Sequence, residues 1–168
     1  MTEQSDENGD LTLAEPLRRA IGERYLTYAL STIMHRASCQ CGALKVEAAD
    51  DPDVVVACNC KACQKRSGSP VGAAGYFKRD LLTISGPVRS WGRVAESGRN
   101  LVSHFCPECG TNVYWTLEMR PNHIGVAVGC FEAPLSTPER AIWTEEKLDW
   151  VEFPHDMPTF PQAAPIKV

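Results

Sequence analysis

Eight cysteines stand in this 168-residue chain, and seven of them fall in three short motifs. Cys39-Gln-Cys41-Gly42 sets two sulfurs two residues apart; in an extended strand such residues point to one side, so both can reach one ion. Cys106-Pro107-Glu108-Cys109-Gly110 is a C-x-x-C knuckle in which Pro107 sets the turn and Gly110 lets the backbone fold back over the sulfurs. Cys39, Cys41, Cys106 and Cys109 together supply four thiolates for a closed, structural zinc site. A site of this kind contributes on the order of 10 kcal/mol to folding in zinc peptides.

The third motif, Cys58-Asn59-Cys60-Lys61-Ala62-Cys63, offers three sulfurs from one loop and leaves the fourth position of a second zinc open. An open position is what separates catalytic zinc from structural zinc. Three thiolates outweigh the ion's charge, so this centre is a weaker Lewis acid than zinc held by imidazoles and is poorly suited to making hydroxide. An exogenous thiol suits it better, because soft sulfur matches this sphere and is held there as the nucleophilic thiolate. Cys58, Cys60 and Cys63 are thus candidate catalytic residues as well as ligands. Beside them, Lys61, Lys65 and Arg66 either offset the negative centre and bind the carboxylates of a peptide thiol, or form a solvated basic turn. With Ser67 and Gly68 they are the candidate substrate contacts.

Other reactive residues are less informative. Cys130 offers a fourth sulfur to the second site, but a small buried hydrophobe is its better reading. His104 shares a strand face with Cys106 by alternation, and a satisfied structural histidine is the better reading there. His35, His123 and His155 fall in helix-end or loop contexts without a partner motif. No nucleophile triad, phosphate loop or nucleotide fingerprint is present. Two C-x-C pairs, two C-x-x-C steps and the lack of a secretion signal speak against a disulfide framework.

The elements that must position these thiols divide the chain near Ala37. Met1 to Asp10 is polar and acidic, with nothing to bury, and is expected to be disordered. Tyr25, Leu26, Tyr28, Ala29, Leu30, Ile33 and Met34 recur at three- and four-residue steps and predict a helix from about Gly22 to Arg36. Residues 38–168 read as mainly β, with strands at 43–48, 54–57, 100–105, 112–117 and 124–128. Ile124, Val126 and Val128 are expected on one face of the last strand, with Gly125, Ala127 and Gly129 on the other. Gly68 to Tyr76 reads as a flexible stretch beside the third motif. Pro154, Pro158, Pro161 and Pro165 keep the tail extended over the surface.

Composition narrows the function classes. With 43% hydrophobic and 23% charged residues, the chain can bury a core of its own. Its formal charge of -4 makes nucleic acid an unlikely partner. No apolar run approaches the ~20 residues needed to cross a bilayer, and the start is acidic where a signal peptide is basic and then apolar. A cytoplasmic location with no membrane association is the expectation.

At these residues the chain resembles the glutathione-dependent formaldehyde-activating enzyme (GFA) family, also described as centromere protein V-like. The resemblance rests on Cys39-x-Cys41-Gly42, Cys58-x-Cys60-x-x-Cys63 with Ser67-Gly68, Phe105-Cys106-Pro107-x-Cys109-Gly110 and a Gly129-x-x-x-x-Pro134 turn, over about residues 38–160. It implies an Mss4-like zinc-binding β-tent with two zinc ions per chain. Cys39, Cys41, Cys106 and Cys109 would hold the structural ion, and Cys58, Cys60 and Cys63 the substrate-side ion. The implied activity is that of a carbon-sulfur lyase joining glutathione and formaldehyde into S-hydroxymethylglutathione. The chain carries Cys130-Phe131-Glu132 where an acidic residue commonly follows the family glycine by two positions.

Residues 13–37 resemble instead the N-terminus of the A subunit of bacterial topoisomerase IV, through Glu15-Pro16-Leu17-Arg18-Arg19 and Glu23-Arg24-Tyr25-Leu26-Thr27-Tyr28-Ala29-Leu30-Ser31-Thr32-Ile33. The remainder of that enzyme is missing, so strand passage is not implied. A helix without its usual partners exposes apolar surface, and homo-oligomerisation through it is one expectation. Two functional readings stand. In one, a zinc enzyme adds glutathione or a related thiol to a small aldehyde. In the other, a non-catalytic interaction module carries two structural zincs.

Overall fold

The computed structural model describes residues 34–165. Most of the topoisomerase-like segment and most of the expected helix lie outside the described residues. The last three residues of that helix do not: Met34 has no regular structure, and His35 and Arg36 open strand β1 (His35–Ser38), ahead of the expected boundary at Ala37. Pairing decides the matter, because each residue of β1 faces one of β2 (Lys45–Ala48) in an antiparallel ladder. β5 (Leu82–Ser85) completes a three-stranded sheet in the order β1-β2-β5.

The larger sheet has seven strands. They are β3 (Val54–Cys58), β4 (Gly72–Lys78), β6 (Arg89–Val94), β7 (Asn100–Phe105), β8 (Asn112–Leu117), β9 (His123–Ala127) and β10 (Arg140–Ile142). Their order is β10-β3-β4-β9-β8-β7-β6. Every pairing is antiparallel except β10 with β3. Helix α1 (Lys61–Ser67) lies between β3 and β4 in sequence. No helix among the described residues is long and apolar enough to cross a membrane.

The sheets meet through a core in which Ala37, Val46 and Ala48 of the small sheet pack with Phe77, Val113, Tyr114, Ile124 and Val126 of the large one. Phe77 is 1% exposed, and burying a side chain of its size stabilises by about 1.5–3 kcal/mol. The opposite face of the large sheet carries Ala74, Leu101 and Trp115, with Tyr76, Leu117 and Ala127 packed against them. Alternation along each strand therefore sends one set of side chains into the core and the other toward the three-cysteine motif.

Several strand expectations meet different chain geometry. Gly72 to Tyr76 belong to β4, near the middle of the large sheet, because both β3 and β9 pair with it. Val128 leaves the strand for a 3-10 turn over Val128–Cys130. His35 and His123 are strand residues whose Nε2 atoms each lie 2.7 Å from a carboxylate, of Asp51 and Asp53 respectively. The tail follows its prolines: it is irregular, with an isolated parallel bridge between Thr159 and Ala141.

Candidate metal centres

The first cluster forms where two turns meet. Cys39 and Cys41 follow β1 in a turn rather than in a strand. Gly42, at φ 77°, closes the turn by donating its N–H to the Cys39 carbonyl at 2.9 Å. The β7–β8 turn repeats the arrangement, with Gly110 at φ 73° donating to the Cys106 carbonyl at 2.9 Å. Both positions require the left-handed region that glycine enters without strain. Thr111 joins the two turns: its hydroxyl oxygen accepts the Gln40 N–H at 3.2 Å and lies 3.2 Å from Cys109 Sγ.

The four sulfurs of Cys39, Cys41, Cys106 and Cys109 lie within 4.8 Å of one another. Cys39 Sγ is 3.5 Å from Cys41 Sγ, which is 3.7 Å from Cys106 Sγ. Four sulfurs placed tetrahedrally around zinc at ~2.3 Å stand about 3.8 Å apart, so this spacing fits the ion. Local hydrogen bonds favour the thiolate at Cys109, while Cys41, sharing hydrogen bonds with Cys39 and Cys109, is pushed up to about 12. Cys109 is lowered to about 5, chiefly by the Thr111 hydroxyl and backbone.

The second cluster depends on a strand end and a helix start. Cys58 is the last residue of β3, Cys60 is the N-cap of α1, and Cys63 lies in its first turn. Their three sulfurs also lie within 4.8 Å of one another. Cys60 Sγ accepts the Cys63 N–H at 3.4 Å, as an N-cap side chain does. The helix is held from outside. Glu146 Oε2 accepts the Lys61 N–H at 2.6 Å, and Gln64 Nε2 donates to the Asn59 and Glu146 carbonyls at 2.6 and 3.0 Å. Buried Asn59 donates Nδ2 to the Ile142 carbonyl at 2.9 Å. Hydrogen bonding from Cys58 and Cys60 pulls the Cys63 thiol well below its ordinary value against the effect of burial, and the Arg66 guanidinium adds to the effect.

The basic residues after this motif form a helix rather than a turn. Lys61 Nζ donates to Gln64 Oε1 and to the Glu146 carbonyl, at 3.3 and 3.4 Å. Arg66 stacks on Trp115 with its guanidinium carbon 3.6 Å from the ring centroid, and it donates to Asn112 Oδ1 at 3.3 Å and to Cys63 Sγ at 3.9 Å. Ser67 Oγ donates back to the Cys63 carbonyl at 2.8 Å, and Gly68 is the C-cap at φ 64°. Lys61, Lys65 and Arg66 border a surface cavity of about 660 Å³, while Arg66 and Ser67 border another of about 540 Å³ that Cys109 and Cys130 also line.

A smaller chamber of about 210 Å³ is lined by Cys58, Cys60 and Cys63 together. It is walled by Val54 and Val56 of β3 and by Tyr76, Leu101, Leu117 and Ile142 from four other strands, with Arg93, Arg120 and Arg140 among its few charged residues. None of Lys61, Lys65, Arg66, Ser67 and Gly68 lines it. The chamber residues carry no motif in the sequence; strand register alone assembles them. Cys130 stands apart from the second cluster, with Sγ 3.9 Å from the Asn112 carbonyl. His104 stacks on Tyr114 at 4.4 Å between centroids; its Nε2 is buried without a partner, and burial lowers its pKa.

Gly125 connects the sheet to this site. A Cβ there would lie 2.5 Å from Trp115 Nε1 and 3.0 Å from Tyr76 Cε1, so the bare backbone is what lets both rings lie over β9. Gly125→Ala is expected to displace the indole on which Arg66 stacks. Overpacking costs about 1–3 kcal/mol, which corresponds to a fall of roughly 4–10 °C in melting temperature. A thermal melt checks it, and a change below about 2 °C would contradict this account of Trp115.

The family model described as glutathione-dependent formaldehyde-activating enzyme matches residues 34–146. Among solved structures, the crystal structure of a Rhodobacter sphaeroides protein is similar at 16% identity and a TM-score of 0.44, covering 74% of this chain and 98% of that one. No curated protein matches.

Proposed function

Since the chain belongs to the glutathione-dependent formaldehyde-activating enzyme family, we propose that it joins glutathione or a related thiol to an aldehyde at Cys58, Cys60 and Cys63, and runs the reverse cleavage. The observation that carries this reading is that three clustered cysteines, rather than four, border a largely apolar, half-open chamber. When bound there, zinc supplies a soft position at which an exogenous thiol is held as the thiolate. In this reading the four sulfurs of Cys39, Cys41, Cys106 and Cys109 hold a second, structural zinc, and the two-sheet arrangement is that of an Mss4-like β-tent.

The protein's own residues have separable tasks. Glu146, Gln64 and Asn59 fix the start of α1 and with it the spacing of Cys60 and Cys63. Arg66, held on Trp115, places positive charge beside Cys63 and offsets part of the excess negative charge of three thiolates. Arg93 and Arg120 line the chamber and have no ion-pair partner among the described residues, which suits the carboxylates of a peptide thiol.

The direct test follows S-hydroxymethylglutathione formation from glutathione and formaldehyde by NMR exchange in the presence of the zinc-loaded protein. Acceleration over the uncatalysed rate is expected. An uncatalysed rate at saturating thiol would overturn the enzyme reading in favour of a binding module.

A further inference from the structure

We propose that the aldehyde this protein prefers carries an apolar body, of phenyl size or with five to seven carbons, seated in the chamber beside Cys58, Cys60 and Cys63. The inference rests on the thiol-aldehyde reading above and narrows it to a substrate class. Its basis is the wall rather than the sulfurs. Val54, Val56 and Cys58 alternate on one face of β3. Register sets Tyr76 opposite Val54, Ile142 opposite Cys58, and Leu101 opposite Leu117, so that one face of the sheet turns apolar side chains toward the three thiols.

Size and polarity then select the occupant. The chamber holds about 210 Å³, whereas a cavity of ~150 Å³ lined by aliphatic and aromatic side chains already takes benzene. Formaldehyde has two heavy atoms and would leave most of that wall untouched. The amide groups of a peptide body would find no partners on the apolar side formed by Val54, Val56, Leu101, Leu117 and Ile142, where stranding them is unfavourable; the polar lining, Arg93, Glu96, Ser97 and Arg120, is where the charged ends of a peptide thiol are met. The peptide thiol is therefore held along the polar side by its sulfur and carboxylates, while the aldehyde's carbon chain lies against the apolar side. In the step itself, the thiolate lone pair forms the C–S bond to the carbonyl carbon. The C=O π pair moves to oxygen, and that oxygen takes a proton from solvent. Nothing is oxidised or reduced, and cleavage reverses the same movements.

The test measures kcat/KM of the full-length, zinc-loaded chain with glutathione and propanal, pentanal or heptanal, beside formaldehyde. Intrinsic carbonyl reactivity is nearly constant along the straight-chain series, so a trend reports burial. A rise of about fourfold per methylene is expected until the chamber is full. Binding of propan-1-ol and heptan-1-ol, followed through tryptophan fluorescence because Trp143 lines the chamber, should show the same trend without turnover. Met119→Trp, which fills the chamber from the end of β8, should lower the heptanal-to-propanal ratio by at least tenfold. Turnover of formaldehyde with a flat aldehyde series and no chain-length effect on alcohol binding would overturn the inference and leave the thiol-aldehyde reading standing. No turnover of any aldehyde would remove both.

Discussion

Cys106→Ser is expected to cost the protein its fold as well as one zinc. Cys106 is fully buried, and its sulfur lies 3.7 Å from that of Cys41, so the cluster ties the turn after β1 to the turn between β7 and β8. These turns belong to different sheets, and apart from this cross-link the sheets are joined mainly by the Val46, Phe77 and Val126 core. Structural zinc sites contribute about 10–16 kcal/mol in small peptides, as much as the whole stability of a typical domain. Serine keeps the shape but is a poor zinc ligand, and it leaves a hydroxyl among thiolates in a buried position. Loss of soluble protein, or a fall in melting temperature above about 20 °C, is the expected result. A variant melting within a few degrees of the parent would show that this cluster does not hold the fold.

Cys60→Ser should behave in the opposite way. Cys60 is the N-cap of α1, and serine is among the best N-caps, so the helix keeps its first-turn hydrogen bond while the second zinc loses a ligand. The external hydrogen bonds from Glu146 and Gln64 also remain. The expected outcome is one zinc per chain in place of two, a melting temperature within a few degrees of the parent, and thiol-aldehyde activity lowered well beyond the roughly 10- to 100-fold that outer partners of a metal site cost. Metal analysis, a thermal melt and the exchange assay on one preparation check all three. A sharp fall in melting temperature with two zincs retained would make the second site structural.

Much of this arrangement is legible in the sequence because it is local. One C-x-C pair, one C-x-x-C step and the glycines after Cys41 and Cys109 name the thiols of the first cluster. Strands β7 and β8 coincide with the apolar runs at 100–105 and 112–117, because β7 buries alternate residues and β8 buries Val113, Tyr114 and Trp115 in succession. Strand β6 carries no such signal: Trp91 and Val94 are more than half exposed, as an edge strand allows. Helix α1 is hidden for a related reason, since none of its residues is fully buried and partners far along the chain, Glu146 above all, hold its start. The chamber is the least legible part. Tyr76, Leu101, Leu117 and Ile142 come from four strands, and only pairing register makes them neighbours of Cys58.

The central claim is that one cysteine cluster is closed and structural while the other is open and takes a thiol. Native mass spectrometry of the full chain, with and without glutathione, tests it most directly, with Cys60→Ser measured alongside. The account predicts two zincs and one bound glutathione in the parent, with one zinc and the glutathione lost together in the variant. Two zincs with no glutathione bound in the parent, or glutathione retained after the second zinc is lost, would contradict it.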